Sequence, residues 1–383
     1  MLMRSSAGSA TMRVAVIHYW LVAMRGGERV LEQILDLYPQ ADIFTHVYDP
    51  ERISAKIRAH KVTTTFIGRL PFATRHYQKY LPLMPQALEL LDLSAYDLVI
   101  SCEAGPAKGV ITRPDAIHVT YCHSPMRYIW DQYGQYRDAG GPLTRLSMPL
   151  LAPGLRRWDM ASASRSDAIM ANSHFVRKRV AKFWGRAASV VHPPVEASLF
   201  SPSTPGDEYL WAGQLVPYKR PDLVVEAFRR NGLPLHIVGD GPMRAQLERA
   251  ASPNIRFTER LDFDALRHAY AKARALVFTA EEDFGMIPVE VQASGRPVIA
   301  YGRGGALETV VEGRTGLFYR EQTAAAIDEA VIALENWLPS FDPAEAVAQA
   351  GKFSVANFRA GFLASVDAAR QRLEQFAPSE TMA

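Results

Sequence analysis

The chain has 383 residues, 48% of them hydrophobic and 22% charged, and carries a formal net charge of +3. These values fit two globular domains of ordinary size, and no apolar run approaches the roughly 18–20 residues of a membrane span. The charge is uneven: residues 1–200 hold 24 Lys/Arg against 16 Asp/Glu, and residues 201–383 hold 19 against 24.

Residues 1–11 lack the apolar stretch of a signal peptide and read as a disordered tail, with Met12 as an alternative start. VAVIHYW (14–20) is the first strand. RGGERVLEQ (25–33) follows it and opens a helix, where Gly26 and Gly27 let the backbone approach a ligand and the helix N-terminus attracts anions. A plain turn would also use this glycine pair. ADIFTHV (41–47) is a second strand. The stretch 52–79 then interleaves basic with apolar residues, as does RKRVAKFWGR (177–186). Both suit an anionic membrane surface or a phosphorylated acceptor, and equally a solvated face. Nucleic acid is disfavoured, since no recognition motif occurs.

DLVISC (97–102) and IHVTYC (117–122) continue the strands, and their Cys102 and Cys122 read as reduced core residues. His123 ends the second of these strands, ahead of Ser124 and Pro125. Tyr128, Trp130, Tyr133 and Tyr136 follow, as a sugar-binding wall or as packing. AIMANS (168–173) and SVVHPP (189–194) complete the first series.

After the Pro-rich HPPVEASLFSPSTPG (192–206) a second series begins: EYLWAG (208–213), LHIVG (235–239), IRFTER (255–260), ALVFTA (275–280), PVIAY (297–301) and GLFY (316–319). Helical patterns lie between the strands, as at 25–38 and 220–231, and 340–375 reads as closing helices. Apolar strands alternating with helices predict parallel sheets covered on both faces. The fold class is therefore α/β, two doubly wound Rossmann-like domains with a cleft between them. The expected boundaries are 12–195, a linker at 196–207, 208–350, and a closing helix and tail at 351–383.

Three features mark the second domain. Lys219 and Arg220 follow its first strand and can face a diphosphate, stabilising leaving-group charge without a metal. A solvated turn is the bland alternative. The turns holding Gly239 and Gly241, and Gly302, Gly304 and Gly305, add to the Gly26–Gly27 turn. Together the three suggest a phosphate-bearing ligand. EEDFGMIPVE (281–290) places carboxylates at a strand's carboxyl end, the usual ligand position in open α/β sheets. Pro288 suits the first turn of the helix entered there, and Gly295 its stop. A dinucleotide fingerprint would need GxGxxG with an acidic residue about 20 positions on, and the first turns do not match it.

Glu282-x7-Glu290 enclosing Phe284–Gly285, the glycines at 26–27, His123, VPYKRPDLVVEAF, VGDGP and GRPVIAYGRGGALETV occur in order. With them the chain resembles the family 4 retaining glycosyltransferases of GT-B fold. HSPMRYIWD, LVPYKR and EEDFG-x-x-PVE-x-Q are similar to the bacterial mannosyltransferases of O-antigen, lipopolysaccharide and exopolysaccharide synthesis. The resemblance implies a GDP-mannose donor and a polyprenyl-diphosphate-linked saccharide acceptor. It implies no bound metal or cofactor, an acceptor-side first domain and a nucleotide-sugar-binding second domain. It also implies a cytoplasmic protein held peripherally on the inner membrane face, through the basic first half.

By the same resemblance Glu290 binds the ribose hydroxyls and Glu282 the donor-sugar hydroxyls. The segment Asp283, Phe284, Gly285, Met286 and Ile287 meets sugar and diphosphate. Lys219 neutralises the diphosphate with help from the Gly27 amide, and His123 contacts the sugar near its reacting carbon. Gln214 stands where the family usually carries Arg, and Gln cannot form a charged fork. The two expectations are that Arg220 compensates at the diphosphate or that the diphosphate is held more weakly. An epimerase acting on UDP-sugars and a non-catalytic sugar-nucleotide-binding subunit are the alternatives on this fold.

Overall fold

A computed structural model describes residues 12–375. The expected tail at 1–11 and residues 376–383 lie outside the described residues.

The chain divides into two compact units. The first comprises residues up to Asn172, Val176–Val191 and the chain from Arg359. Its sheet contains β1 (Val14–His18), β2 (Asp42–Thr45), β3 (Val62–Thr64), β4 (Leu98–Glu103), β5 (Ile117–Cys122), β6 (Ala168–Ala171) and β7 (Ser189–Val190). Their order is β3-β2-β1-β4-β5-β6-β7, with every neighbouring pair parallel.

The second unit comprises Ser173–Phe175 and His192–Phe358. Its sheet contains β8 (Tyr209–Ala212), β9 (Leu235–Val238), β10 (Ile255–Thr258), β11 (Leu276–Phe278), β12 (Val298–Tyr301) and β13 (Gly316–Tyr319), ordered β10-β9-β8-β11-β12-β13 and again all parallel. Both orders reverse direction at their first strand. This is the doubly wound switch point, where open α/β sheets take ligands at the strands' carboxyl ends.

Each apolar run expected as a strand contains one, because a strand buried on both faces needs no polar alternation. In β8, Tyr209 and Trp211 enter one core with Phe228 and Ile237, while Leu210 and Ala212 enter another with Leu276 and Phe278. β3 was not expected: it is a three-residue edge strand of half-buried side chains inside the basic stretch. Within that stretch Ile53, Ile57 and Ile67 are buried, Phe66, Leu70 and Tyr77 are half-buried against the core, and Phe72 is the exposed large side chain. Cys102 and Cys122 are free and buried.

The unit boundaries differ from those expected. Val195 and Phe200 are buried in the second unit's core, and the Val195 amide donates to Phe353 O at 2.8 Å. The Pro-rich stretch is thus packed wall, not free linker. The final helix, Val355–Gln375, joins the first unit from Arg359, whose guanidinium donates to Gln33 and Asp36, each at 2.7 Å.

Candidate functional site

In the second unit, β8 and β11 flank the switch point, so the loops leaving them run side by side. The Thr279 hydroxyl ties them together, accepting from Trp211 Nε1 at 3.0 Å and donating to Lys219 O at 2.5 Å. Lys219 is delivered by a 3-10 turn, Pro217–Lys219. Its ammonium lies 2.7 Å from Glu282 Oε1, with both side chains mostly buried. The sequence assigned these residues to separate parts of a ligand, and the structure brings them together.

Arg220 departs from its expected place. Its guanidinium forks onto Asp222, with contacts of 2.9–3.2 Å, and its own backbone is left-handed. It caps the Pro221–Asn231 helix and is held by a carboxylate two residues on, while Gln214 is exposed.

The segment after Glu282 folds as expected. Asp283 O accepts from the Ser173 hydroxyl at 2.6 Å. Phe284 is buried between His192 and Phe353. Gly285 adopts φ +84, a conformation costly for other residues, and turns the chain into the Met286–Ala293 helix. Met286 and Ile287 form the first turn of that helix, where unpaired backbone N–H groups favour anions. Glu290, one turn further along, is buried and accepts from the Tyr270 hydroxyl at 3.2 Å. Tyr270 had not been anticipated, because it lies in no motif; it is carried by the Phe263–Lys272 helix.

Two glycine turns have a structural explanation. A Cβ on Gly239 would fall on Gly213 O, and one on Gly241 would meet the Leu215 backbone. A Cβ on Gly304 would fall on Glu282 O, and one on Gly305 on the Phe284 backbone. These glycines let backbones touch: the first pair positions the loop before Lys219, and the second braces the 282–284 turn.

In the first unit, the Gly26–Gly27 turn opens the Gly26–Leu37 helix. A Cβ on Gly27 would fall on the Tyr19 hydroxyl and lie 3.7 Å from His123 Nε2, so Gly27, Tyr19 and His123 form one cluster. His123 packs edge-on against Tyr121 and Tyr19. Its amide and that of Ser124 both donate to Glu103 O, at 2.8 and 3.3 Å. Behind the turn, buried Glu28 accepts from the Arg25 amide at 2.8 Å and contacts His18 Nε2 at 3.3 Å. Burial raises the Glu28 carboxyl pKa, but the His18 contact and the Glu28 and Arg25 backbone amides together outweigh it and the net shift is downward.

Sequence reasoning also missed a buried charge network below His123. Lys108, wholly buried, pairs with Glu103 at 3.2 Å and with Asp159. Asp159 also accepts from Trp130 and Trp184, each at 2.7 Å. Burial pushes the Glu103 carboxyl up, and the two carboxylates hold Lys108 firmly protonated. Tyr128 and Trp130 are half-buried and pack on the Met126, Ile129 and Leu155 cluster, and Trp130 also stacks on Phe183. Of the 177–186 cations, Arg179 turns inward onto Ser124 and Asp131.

Among the described residues, His174, His192 and Glu308 place ligand atoms within 4.8 Å of one another. The Glu308 carboxylate accepts from the His174 and Phe175 amides, at 2.8 and 3.0 Å, and contacts His192 at 3.1 Å. It caps the His174–Trp184 helix. Burial raises its pKa, and the His192 contact with the two amides lowers it further than burial raises it.

Two parallel-sheet units with a cation and carboxylates at the second switch point define the GT-B class of fold. The chain belongs to glycosyltransferase family 4: residues 24–199 match Glycosyltransferase Family 4, and residues 202–347 match Glycosyl transferases group 1. A GDP-mannose-dependent alpha-(1-6)-phosphatidylinositol monomannoside mannosyltransferase of Mycobacterium tuberculosis is 30% identical over 264 residues, covering 56% of this chain and 68% of the relative. An uncharacterized glycosyltransferase of Methanocaldococcus jannaschii is 26% identical over 180 residues, 46% of this chain and 51% of its own length. The chain thus spans about half the length of several curated relatives it matches. Among solved structures, Anabaena HepE in complex with UDP-glucose aligns with a TM-score of 0.60 at 15% identity, over 95% of this chain and 98% of HepE. That likeness concerns the fold.

Proposed function

We propose that this protein is a retaining hexosyltransferase that moves mannose from GDP-mannose to a polyprenyl-diphosphate-linked saccharide in bacterial surface polysaccharide synthesis. The observation that carries the reading is the Lys219–Glu282 pair beside the amino end of the Met286–Ala293 helix. A cation and open helix amides suit a diphosphate leaving group, and a carboxylate suits sugar hydroxyls. Glu290, one helical turn on, suits the ribose. The mannosyltransferase names among the relatives support the sugar and the guanine base.

In this reading the bond from the anomeric carbon to the diphosphate oxygen breaks while the acceptor hydroxyl attacks from the same face. The departing diphosphate oxygen takes the acceptor proton. Lys219 and the helix amides stabilise the charge that develops, so no metal is required. Glu282 holds the sugar and does not act as a covalent nucleophile. His123 keeps the role implied by the resemblance, a contact to the sugar. The lipid-linked acceptor places the protein on the cytoplasmic face of an anionic membrane, with its basic first half toward the lipid.

A thermal-shift panel with GDP, UDP, ADP, dTDP and NAD tests the donor, because a ligand of the folded state raises stability by mass action. A shift with GDP alone supports this reading. A shift with UDP alone keeps the family, overturns the donor and favours a UDP-sugar transferase or epimerase. A shift with NAD alone overturns the reading of the site.

A further inference from the structure

The 22-residue helix Pro142–Ala163 of the first unit has an inverted pattern. Its core-facing side carries Ala152, Leu155, Asp159 and Ser162, buried along one face. Its outward side repeats at three- and four-residue spacing as Leu143, Leu146, Leu150, Pro153, Arg157 and Met160, all exposed. The three leucines expose 79%, 71% and 78% of their surface. A surface helix of a globular protein normally presents polar residues there, and a contiguous exposed apolar stripe marks an interaction surface.

We propose that this leucine face lies in the interfacial plane of an anionic phospholipid bilayer and is the membrane-docking surface of the protein. Charge complementarity selects the occupant. Arg145, Arg156 and Arg157 are the helix's cations, and its one carboxylate, Asp159, is buried against Lys108. Arg145 and Arg157 are exposed beside the leucines. Apolar residues flanked by arginines, with no exposed acid on the helix itself and the neighbouring Asp138 paired with Arg137, match a headgroup layer of negative charge. A second copy fits less well. A two-fold interface sets the same patch against itself, so the arginines would meet with no carboxylate on the face to pair them. The basic stretch 52–79 contributes charge, but most of its apolar residues are turned inward. The Pro142–Ala163 helix supplies the insertion that stretch lacks, and the helix is too short of continuous apolar residues to span.

The inference rests on the reading of a membrane-borne acceptor given above. The full chain is sedimented with vesicles of phosphatidylcholine alone and of phosphatidylcholine with phosphatidylglycerol. Binding is expected to the second composition. It should fall roughly tenfold or more in Leu143→Ser/Leu146→Ser/Leu150→Ser, and partly in Arg145→Gln/Arg157→Gln. The substituted side chains are exposed, so an unchanged melting curve checks the fold. A fluorophore on Leu146→Cys should shift to the blue with the anionic vesicles, which reports insertion directly.

No vesicle binding, or equal binding by the triple-leucine variant, overturns the inference. A dimer that the same variant dissolves without change in vesicle binding also overturns it, in favour of a second copy. GDP binding, measured on the same sample, keeps the two readings separate. Nucleotide binding without vesicle binding sinks only the docking surface. Vesicle binding without a nucleotide shift sinks only the donor.

Discussion

Lys219 Nζ sits 2.7 Å from Glu282 Oε1, so the two side chains form an ion pair. A diphosphate would draw the ammonium, and sugar hydroxyls would engage the carboxylate. Substituting each partner should therefore separate binding from turnover. Lys219→Met is expected to weaken GDP binding and to lower kcat/KM by about 10²–10³. Glu282→Gln is expected to keep the GDP thermal shift and lose most of the turnover. Full activity in Glu282→Gln would remove it from the site.

Glu290 and Tyr270 are joined by a 3.2 Å hydrogen bond inside the second unit. If Glu290 takes ribose hydroxyls, Glu290→Gln should weaken GDP binding about tenfold while scarcely moving the binding of free mannose. Tyr270→Phe should weaken GDP less, because it removes a support and not the acceptor. Calorimetric titration of both variants decides this, and equal GDP affinity in wild type and Glu290→Gln would refute the assignment.

Gly305 is placed where any side chain would strike the Phe284 backbone. Gly305→Ala should cost about 1–3 kcal/mol of stability, because the neighbour is backbone and cannot swing away. It should also lower turnover by displacing the turn that carries Glu282. Gly154 is a control: it lies within a helix with nothing within 4 Å of an added Cβ, and Gly154→Ala should be neutral or mildly stabilising. Urea unfolding of both variants measures the contrast.

The strands were legible because doubly buried strands are written as plain apolar runs, VAVIHYW and ALVFTA among them. β3 was not, since VTT is short, lies at an edge and is only half buried. The carboxylate pair of the second unit was legible because Glu282 and Glu290 flank one turn and share a short stretch of chain. The Lys219–Glu282 contact was not, because it depends on β8 and β11 being neighbours, which no local pattern states. Glycine roles were ambiguous for a related reason. Gly239 and Gly305 look alike in sequence, and the close approach of the Gly213 and Phe284 backbones to them is written in no local pattern. The Lys108 network escaped notice because Glu103, Lys108 and Asp159 lie far apart in the chain or in no motif.

His46 and His118 give the first unit a pH dependence. Burial drives each pKa from 6.5 down to about 4, although each ring also contacts a backbone carbonyl, Pro106 O and Arg165 O respectively. A folded-state value below the unfolded one means the folded chain prefers the neutral ring. That stability is complete above pH 6.5 and is lost as the pH falls toward 4. Fully developed, it amounts to about 3 kcal/mol per histidine. Urea unfolding between pH 7.5 and 4.5 should show the decline. His118→Asn should flatten its slope, whatever the variant's stability at neutral pH. An unchanged slope would mean that the ring is not held neutral.

Lys108 is the group whose loss the first unit should tolerate least. Its ammonium lies between Glu103 and Asp159 with no solvent exposure, and it also sits over the Trp184 ring at 4.1 Å. Lys108→Met would leave two buried carboxylates facing one another, which should cost about 3–5 kcal/mol. Adding Glu103→Gln and Asp159→Asn removes those charges and should recover much of the loss, since replacing a whole ion cluster is milder than breaking it. The site should respond too. Glu103 O accepts from the His123 and Ser124 amides, so a shift at the end of β4 carries His123 with it. In the recovered triple variant the folded fraction should be near normal while kcat stays reduced and GDP binding, proposed above for the second unit, is unaffected. Equal kcat in the triple variant and the wild type would show that the network stabilises the fold without positioning His123.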